Sequence, residues 1–175
     1  MNLPPADHAA RSEAIVARLL ALPEVAAAQT VHVYSPLLLR GEVDTRPLIA
    51  ALHLRGVAVL MPRVRPGAPR TLDAVRVAPG AALRPGPFGI GEPAGGAVVD
   101  PAEIDLVVVP ALGADRAGVR LGYGGGFYDA FLAGLRAATV APAFAGCFVE
   151  RLPAEPHDVP VHIVVTETET WRVPS

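Results

Sequence analysis

Apolar residues recur at helical spacing along the first 22 positions, where Ile15, Leu19 and Leu22 share one face and Arg11 and Arg18 lie elsewhere. Asp7 is expected to cap this helix and Pro23 to limit it. The pattern then changes. Thr30-Val31-His32-Val33-Tyr34 is rich in β-branched residues and reads as a strand closed by Ser35-Pro36. Asp44 or Thr45 opens a second helix from Arg46 to Leu54, with Pro47 tolerated in its first turn and Gly56 beyond its end. Val57 to Met61 is a second buried strand, so strand, helix and strand form a parallel crossover.

From Pro62 to Asp100, proline and glycine interrupt any period, and only Thr71 to Val77 looks extended. Loops longer than ~12 to 15 residues in a compact domain are often binding rims, which is the expectation here. Ile104 to Pro110 reads as a buried strand, Tyr128 to Leu135 as a helix, and Pro142 to Val149 and Val161 to Val165 as the last strands. This alternation predicts a three-layer α/β fold, with a mostly parallel central sheet of about five or six strands flanked by helices. Its ligands would sit beyond the carboxyl ends of the strands.

Composition narrows the function. A chain of 175 residues fits one domain, 1–175. With 51% hydrophobic residues, 18% charged residues and a net charge of −2, it has no general attraction for nucleic acid or anionic lipid. No apolar run approaches the ~20 residues that span a bilayer. The single cysteine, Cys147, excludes an intrachain disulfide and fits a cytoplasmic location; its apolar setting predicts a buried thiol. All fifteen basic residues are arginine, which removes every lysine mechanism. No paired cysteines or His-Glu-x-x-His spacing point to zinc.

The candidate chemistry lies in Arg120-Leu121-Gly122-Tyr123-Gly124-Gly125-Gly126-Phe127-Tyr128-Asp129. Placed between a strand and a helix, four glycines in five positions leave backbone N–H groups bare, an arrangement suited to phosphate. Arg120 adds a fork of donors that stays protonated. The dinucleotide fingerprint fails because Phe127 takes its small sixth position, and the Walker loop fails for want of lysine. No serine stands between glycines, so a nucleophile elbow is excluded.

This segment, with Asp105 to Pro110 before it, resembles the nucleotide-binding segment of the 5-formyltetrahydrofolate cyclo-ligase (methenyltetrahydrofolate synthetase) family. Further landmarks follow in order: Tyr34 with Gly41-Glu42-Val43-Asp44-Thr45, Met61-Pro62-Arg63, Phe88-Gly89-Ile90-Gly91-Glu92-Pro93, and Glu155-Pro156-His157-Asp158. The resemblance runs from about residue 8 to residue 167 and implies a NagB/RpiA/CoA-transferase-like fold. It also implies ATP- and Mg²⁺-dependent closure of 5-formyltetrahydrofolate to 5,10-methenyltetrahydrofolate, in which ATP activates the formyl oxygen and N10 attacks the activated carbon.

By the same resemblance, Arg120 and the loop from Leu121 through Gly122, Tyr123, Gly124, Gly125 and Gly126 to Phe127 and Tyr128 would hold the nucleotide. Asp129 and Asp158 would organise magnesium, while Glu42, Tyr34, Phe88 and Tyr123 would face folate, with Arg120 and Tyr123 closest to the chemistry. The family's usual first helix, with a Lys and Arg pair for the phosphates, is expected to be missing, leaving Arg11 or Arg18 as substitutes. Two alternatives stay open: a non-catalytic relative that binds reduced folate or nucleotide, and an enzyme acting on a sugar phosphate or coenzyme A ester.

Overall fold

A computed structural model describes residues 3–174. Helix α1 (Pro5–Leu20) buries Ser12, Ile15, Val16 and Leu19, and a single turn, α2 (Pro23–Ala27), follows it. Asp7 is not the cap: Pro5 starts the helix, and the acid lies inside the first turn, where it favours the helix dipole. Helix α3 (Arg46–Leu54) buries Leu48 and Leu52. Its first N–H is received by the Asp44 carboxylate, 3.0 Å away, while the Thr45 hydroxyl turns inward to the Tyr34 carbonyl.

Strands β1 (Thr30–Val33), β2 (Ala58–Val64) and β3 (Leu72–Val77) are joined by a hairpin, β4 (Leu83–Pro85) and β5 (Gly91–Pro93), to β6 (Val98–Val99) and β7 (Leu106–Val108). Two short strands, β8 (Gly113–Asp115) and β9 (Arg120–Leu121), precede helix α4 (Phe127–Leu132). The chain then adds β10 (Ala138–Pro142), β11 (Phe148–Val149), β12 (Ile163–Val165) and β13 (Thr170–Arg172). Eight of these form the central sheet in the order β13-β12-β10-β7-β1-β2-β3-β6. From β12 to β2 the pairing is parallel; at the edges β13 pairs antiparallel with β12, β3 with β2 and β6 with β3.

Alternation along the strands builds both interfaces. Val31, Val33, Val59, Leu106, Val108, Val140, Ile163 and Val165 pack with residues of α1, α2 and α3. Their neighbours Leu60, Val107, Ala141 and Val164 face the other way, toward Leu132 of α4. Strands covered on both faces must be apolar at every position, and Leu106, Val107 and Val108 are all fully buried. Helices therefore flank a mostly parallel sheet, as the alternation of elements predicts.

Several boundaries move. Helix α4 stops at Leu132, short of Leu135, because Ala133 leaves helical geometry and Gly134 takes a positive φ of 78°. The expected strand from Pro142 to Val149 is two strands in different sheets: β10 begins earlier, at Ala138, and β11 pairs with β8 after a tight turn through Cys147. Cys147 is half-buried rather than buried. The stretch 62–100 is an edge of the sheet with a hairpin attached, in which proline and glycine sit at strand ends and turns.

His32 points from β1 to the α4 side of the sheet. It is fully buried against the rings of Phe131, at 4.8 Å, and Tyr128, at 5.9 Å, and neither ring nitrogen has a partner. Burial lowers its pKa to about 3, so the folded protein keeps it neutral. Because the unfolded chain takes up this proton near pH 6.5, stability is lost as pH falls from there toward the folded value. Urea unfolding of His32→Leu should show a smaller loss between pH 7 and pH 4 than the parent, by roughly 3 kcal/mol. Parallel pH profiles for the two proteins would contradict this.

Candidate active site at the carboxyl end of the sheet

Three loops leave the carboxyl ends of β1, β2 and β7, which lie close together in the sheet. The first is folded back by Tyr34, whose hydroxyl donates to the Val43 carbonyl at 3.0 Å while its own carbonyl accepts from Thr45 at 2.9 Å. Tyr34 is therefore buried under the loop rather than standing as a wall of an open cleft. Glu42 is not the exposed loop carboxylate that its setting predicts: it is 3% exposed and accepts the Leu37 N–H at 2.6 Å. Burial raises its pKa, against the opposing effects of that N–H, the Tyr123 hydroxyl and the Arg40 charge.

The third loop carries a small sheet. Asp115, fully buried at the end of β8, receives the N–H groups of Ala117 and Val119 on one oxygen and of Leu152 on the other. That carboxylate ties the β8–β9 turn to the segment after β11 and fixes the approach to the glycine loop. The glycine loop thus follows β9 instead of β7, and α4 behind it has only six residues, which limits its dipole. At Gly122 and Gly124 a Cβ would meet nothing, so this backbone faces open space.

Arg120 is held inward. Its Nη2 donates to the Asp129 carboxylate at 2.8 Å and to the Val159 carbonyl at 2.9 Å, and its side chain is 7% exposed. Burial lowers its pKa and the Asp129 charge opposes this, so the pair is close to neutral as a unit. Its Nε is buried without a partner. Asp129 also accepts the Val159 N–H at 3.2 Å, and the adjacent Asp158 accepts that of Glu155 at 2.8 Å.

The predicted site residues thus fall into two joined groups. Glu42, Tyr34 and Tyr128 gather with Tyr123, and Arg120 gathers with Asp129 and Asp158. Tyr123 links the first group to the glycine loop: its ring lies 5.2 Å from the Arg40 guanidinium, and burial followed by the Glu42 charge pushes its pKa up to about 12. Tyr128 is half-buried, and its hydroxyl is buried without a partner. Phe88 stands at the rim, 68% exposed, with its ring edge-on to Phe127 at 6.2 Å. Sequence reasoning missed Arg40 and Arg70. Both lie in loops that lack periodicity, and only their position after a strand distinguishes them.

Two groups of ligands can be tested against these residues. The open backbone at Gly122 and Gly124, beside an arginine with a buried unpaired Nε, fits a polyphosphate. Among the described residues no three His, Cys, Asp or Glu side chains gather as a metal cage. Two carboxylates, Asp129 and Asp158, lie by Arg120, the number that suits a hard cation held mainly by phosphate and water.

Fold and placement together define the class: a three-layer α/β protein whose candidate site lies at the carboxyl end of a parallel sheet. Residues 2–167 match the 5-formyltetrahydrofolate cyclo-ligase family, and the chain belongs to that family. It is 32% identical to a 5-formyltetrahydrofolate cyclo-ligase of Escherichia coli over 97% of this chain and 95% of the relative. A 5-formyltetrahydrofolate cyclo-ligase of Mycolicibacterium smegmatis is 37% identical over 79% of this chain and 73% of its own. The solved structure of Aquifex aeolicus 5,10-methenyltetrahydrofolate synthetase superposes with a TM-score of 0.86 at 34% identity, covering 99% of this chain and 87% of that one. A synthetase structure from Mycoplasma pneumoniae shares the fold, with a TM-score of 0.74 at 20% identity over 94% and 90% of the two chains. No helix among the described residues is long and apolar enough to cross a membrane.

The hydroxyl of Tyr123 favours the charged form of Glu42. Tyr123→Phe should therefore raise the Glu42 pKa further, measured by following its carboxyl carbon through a pH titration by NMR. An unchanged or lower value would show that the two side chains are uncoupled.

Proposed function

We propose that this chain catalyses the ATP-dependent closure of 5-formyltetrahydrofolate to 5,10-methenyltetrahydrofolate, with release of ADP and phosphate. The observation that carries the reading is the seat of Tyr123: its ring, from the glycine loop, lies 5.2 Å from the guanidinium of Arg40, two residues before the buried Glu42, so a nucleotide on the loop and a folate at the carboxylate would be neighbours.

Glu42 is the residue for the pterin. As a carboxylate it accepts hydrogen bonds from the amino and ring N–H groups, and its raised pKa favours a ligand that donates them. An apolar cleft of about 690 Å³ begins at Ser35, next to Tyr34 in the chain, and continues past Met61, Ile49 and Leu83, with room for the aromatic middle of the folate. Phe88, exposed, meets Phe127 of the glycine segment edge to face and offers an aromatic surface beside the nucleotide loop. Tyr34 acts from below, holding the loop that presents Glu42.

On the nucleotide side the loop from Leu121 to Tyr128 supplies bare N–H groups. Arg120 is placed to fix the loop through Asp129 and Val159 as much as to meet phosphate itself. Magnesium, when bound with the nucleotide, would offset phosphate charge, and Asp129 and Asp158 are the residues to hold it. An amide oxygen leaves poorly until phosphoryl transfer improves it, so these residues contribute alignment and charge compensation more than covalent chemistry.

The product should form, seen by its near-ultraviolet absorbance, only when ATP and Mg²⁺ are both present. Glu42→Gln should lower kcat/KM for the folate about 100-fold or more while leaving nucleotide affinity within about twofold. Saturable folate binding without product would instead support a non-catalytic relative.

A further inference from the structure

The nucleotide reading leaves the site short of positive charge. A triphosphate brings several negative charges, the chain has no lysine, and Arg120 is already matched by Asp129. Arg11 and Arg18, the expected substitutes, are committed elsewhere: Arg11 pairs with Glu167 at 3.1 Å, and Arg18 donates to the carbonyls of Glu167 and Thr168. Arg63 and Arg65 share Asp73, and Arg46 is paired with Asp44. Arg40 lies over the Tyr123 ring.

Arg70 is different. It sits in the loop between β2 and β3, exposed, and has no carboxylate partner among the described residues. Its guanidinium rests against the last glycine of the cradle: a Cβ at Gly126 would meet Nη1 at 3.3 Å and Cζ at 3.4 Å. Gly126 itself has a positive φ of 64°, a backbone conformation that favours glycine there. Arg70 also holds a φ of 51°, which side-chain-bearing residues rarely adopt. A strained residue carrying an uncompensated cation to the edge of an open backbone loop has the form of a ligand contact.

We propose that Arg70 is a second phosphate-binding residue, reaching from the β2–β3 loop across Gly126 to the polyphosphate of the bound nucleotide. The inference rests on the nucleotide reading above. The planar guanidinium stays charged and can engage two phosphate oxygens at once, which a neutralised Arg120 does less well. The loops after β2 and β9 would then meet the same ligand.

The test is calorimetric titration of the full chain with ATP and Mg²⁺ in the absence of folate, so that no turnover enters. Arg70→Gln should weaken ATP about 10-fold or more and make its affinity less sensitive to salt, while Arg70→Lys recovers part of the loss. Arg70→Gly, which accepts the positive φ, should lose affinity equally with a melting temperature at or above that of the parent. Arg65→Gln, in the same loop but paired with Asp73, should bind ATP like the parent. If Arg70→Gln binds as tightly as the parent, or loses no more than Arg65→Gln, this assignment is overturned while the nucleotide reading stands. A parent protein that binds reduced folate but not ATP overturns both.

Discussion

Parallel pairing of β12, β10, β7, β1 and β2 is the constraint on which the rest depends. Parallel neighbours cannot be joined by a tight turn, so each connection must return across a face of the sheet, and the loops that leave the carboxyl ends collect at one end. Tyr34 to Glu42, Arg70 and the glycine segment come from three such loops. They are far apart in sequence and adjacent for a topological reason. The cost is a largely apolar core, which explains why these strands are valine- and leucine-rich and why His32, buried there without a partner, stays neutral.

At that end, charge is arranged by burial as much as by pairing. Desolvation raises the Glu42 pKa, and one backbone N–H and one phenol work against it, so a ligand that donates hydrogen bonds is favoured there. Arg120 and Asp129 are a desolvated pair bound into the backbone at Val159, better suited to holding the glycine loop in shape than to attracting an anion from solution. Pre-formed loops lower the ordering cost of binding, and on the proposed reading Arg70, with no carboxylate partner among the described residues, would supply the charge that the pair does not.

The architecture was legible because its signals are periodic. Buried strands such as Leu106–Val108 and the one-sided helices α1 and α3 follow from apolar spacing alone. What the sequence hid were elements too short to show a period. Strands β8, β9 and β11 have two or three residues each and exist through contacts with one another, with Asp115 as their clasp. The alanine-rich start of β10 carries no strand signal. Residues of the candidate site were nameable from their motifs, but not their states: burial of Glu42 and Tyr34 and the inward turn of Arg120 come from loops packing on loops. Arg70 lay in a proline- and glycine-rich stretch with no pattern to mark it.

Amide hydrogen exchange with and without ATP and Mg²⁺ tests the convergence of these loops most directly. The account predicts slower exchange in two separated segments together, Gly122 to Gly126 and the 65–71 loop, with little change at β13 or in α2. Slowing confined to surfaces outside the carboxyl end of the sheet, or in the glycine loop without the 65–71 loop, would contradict it.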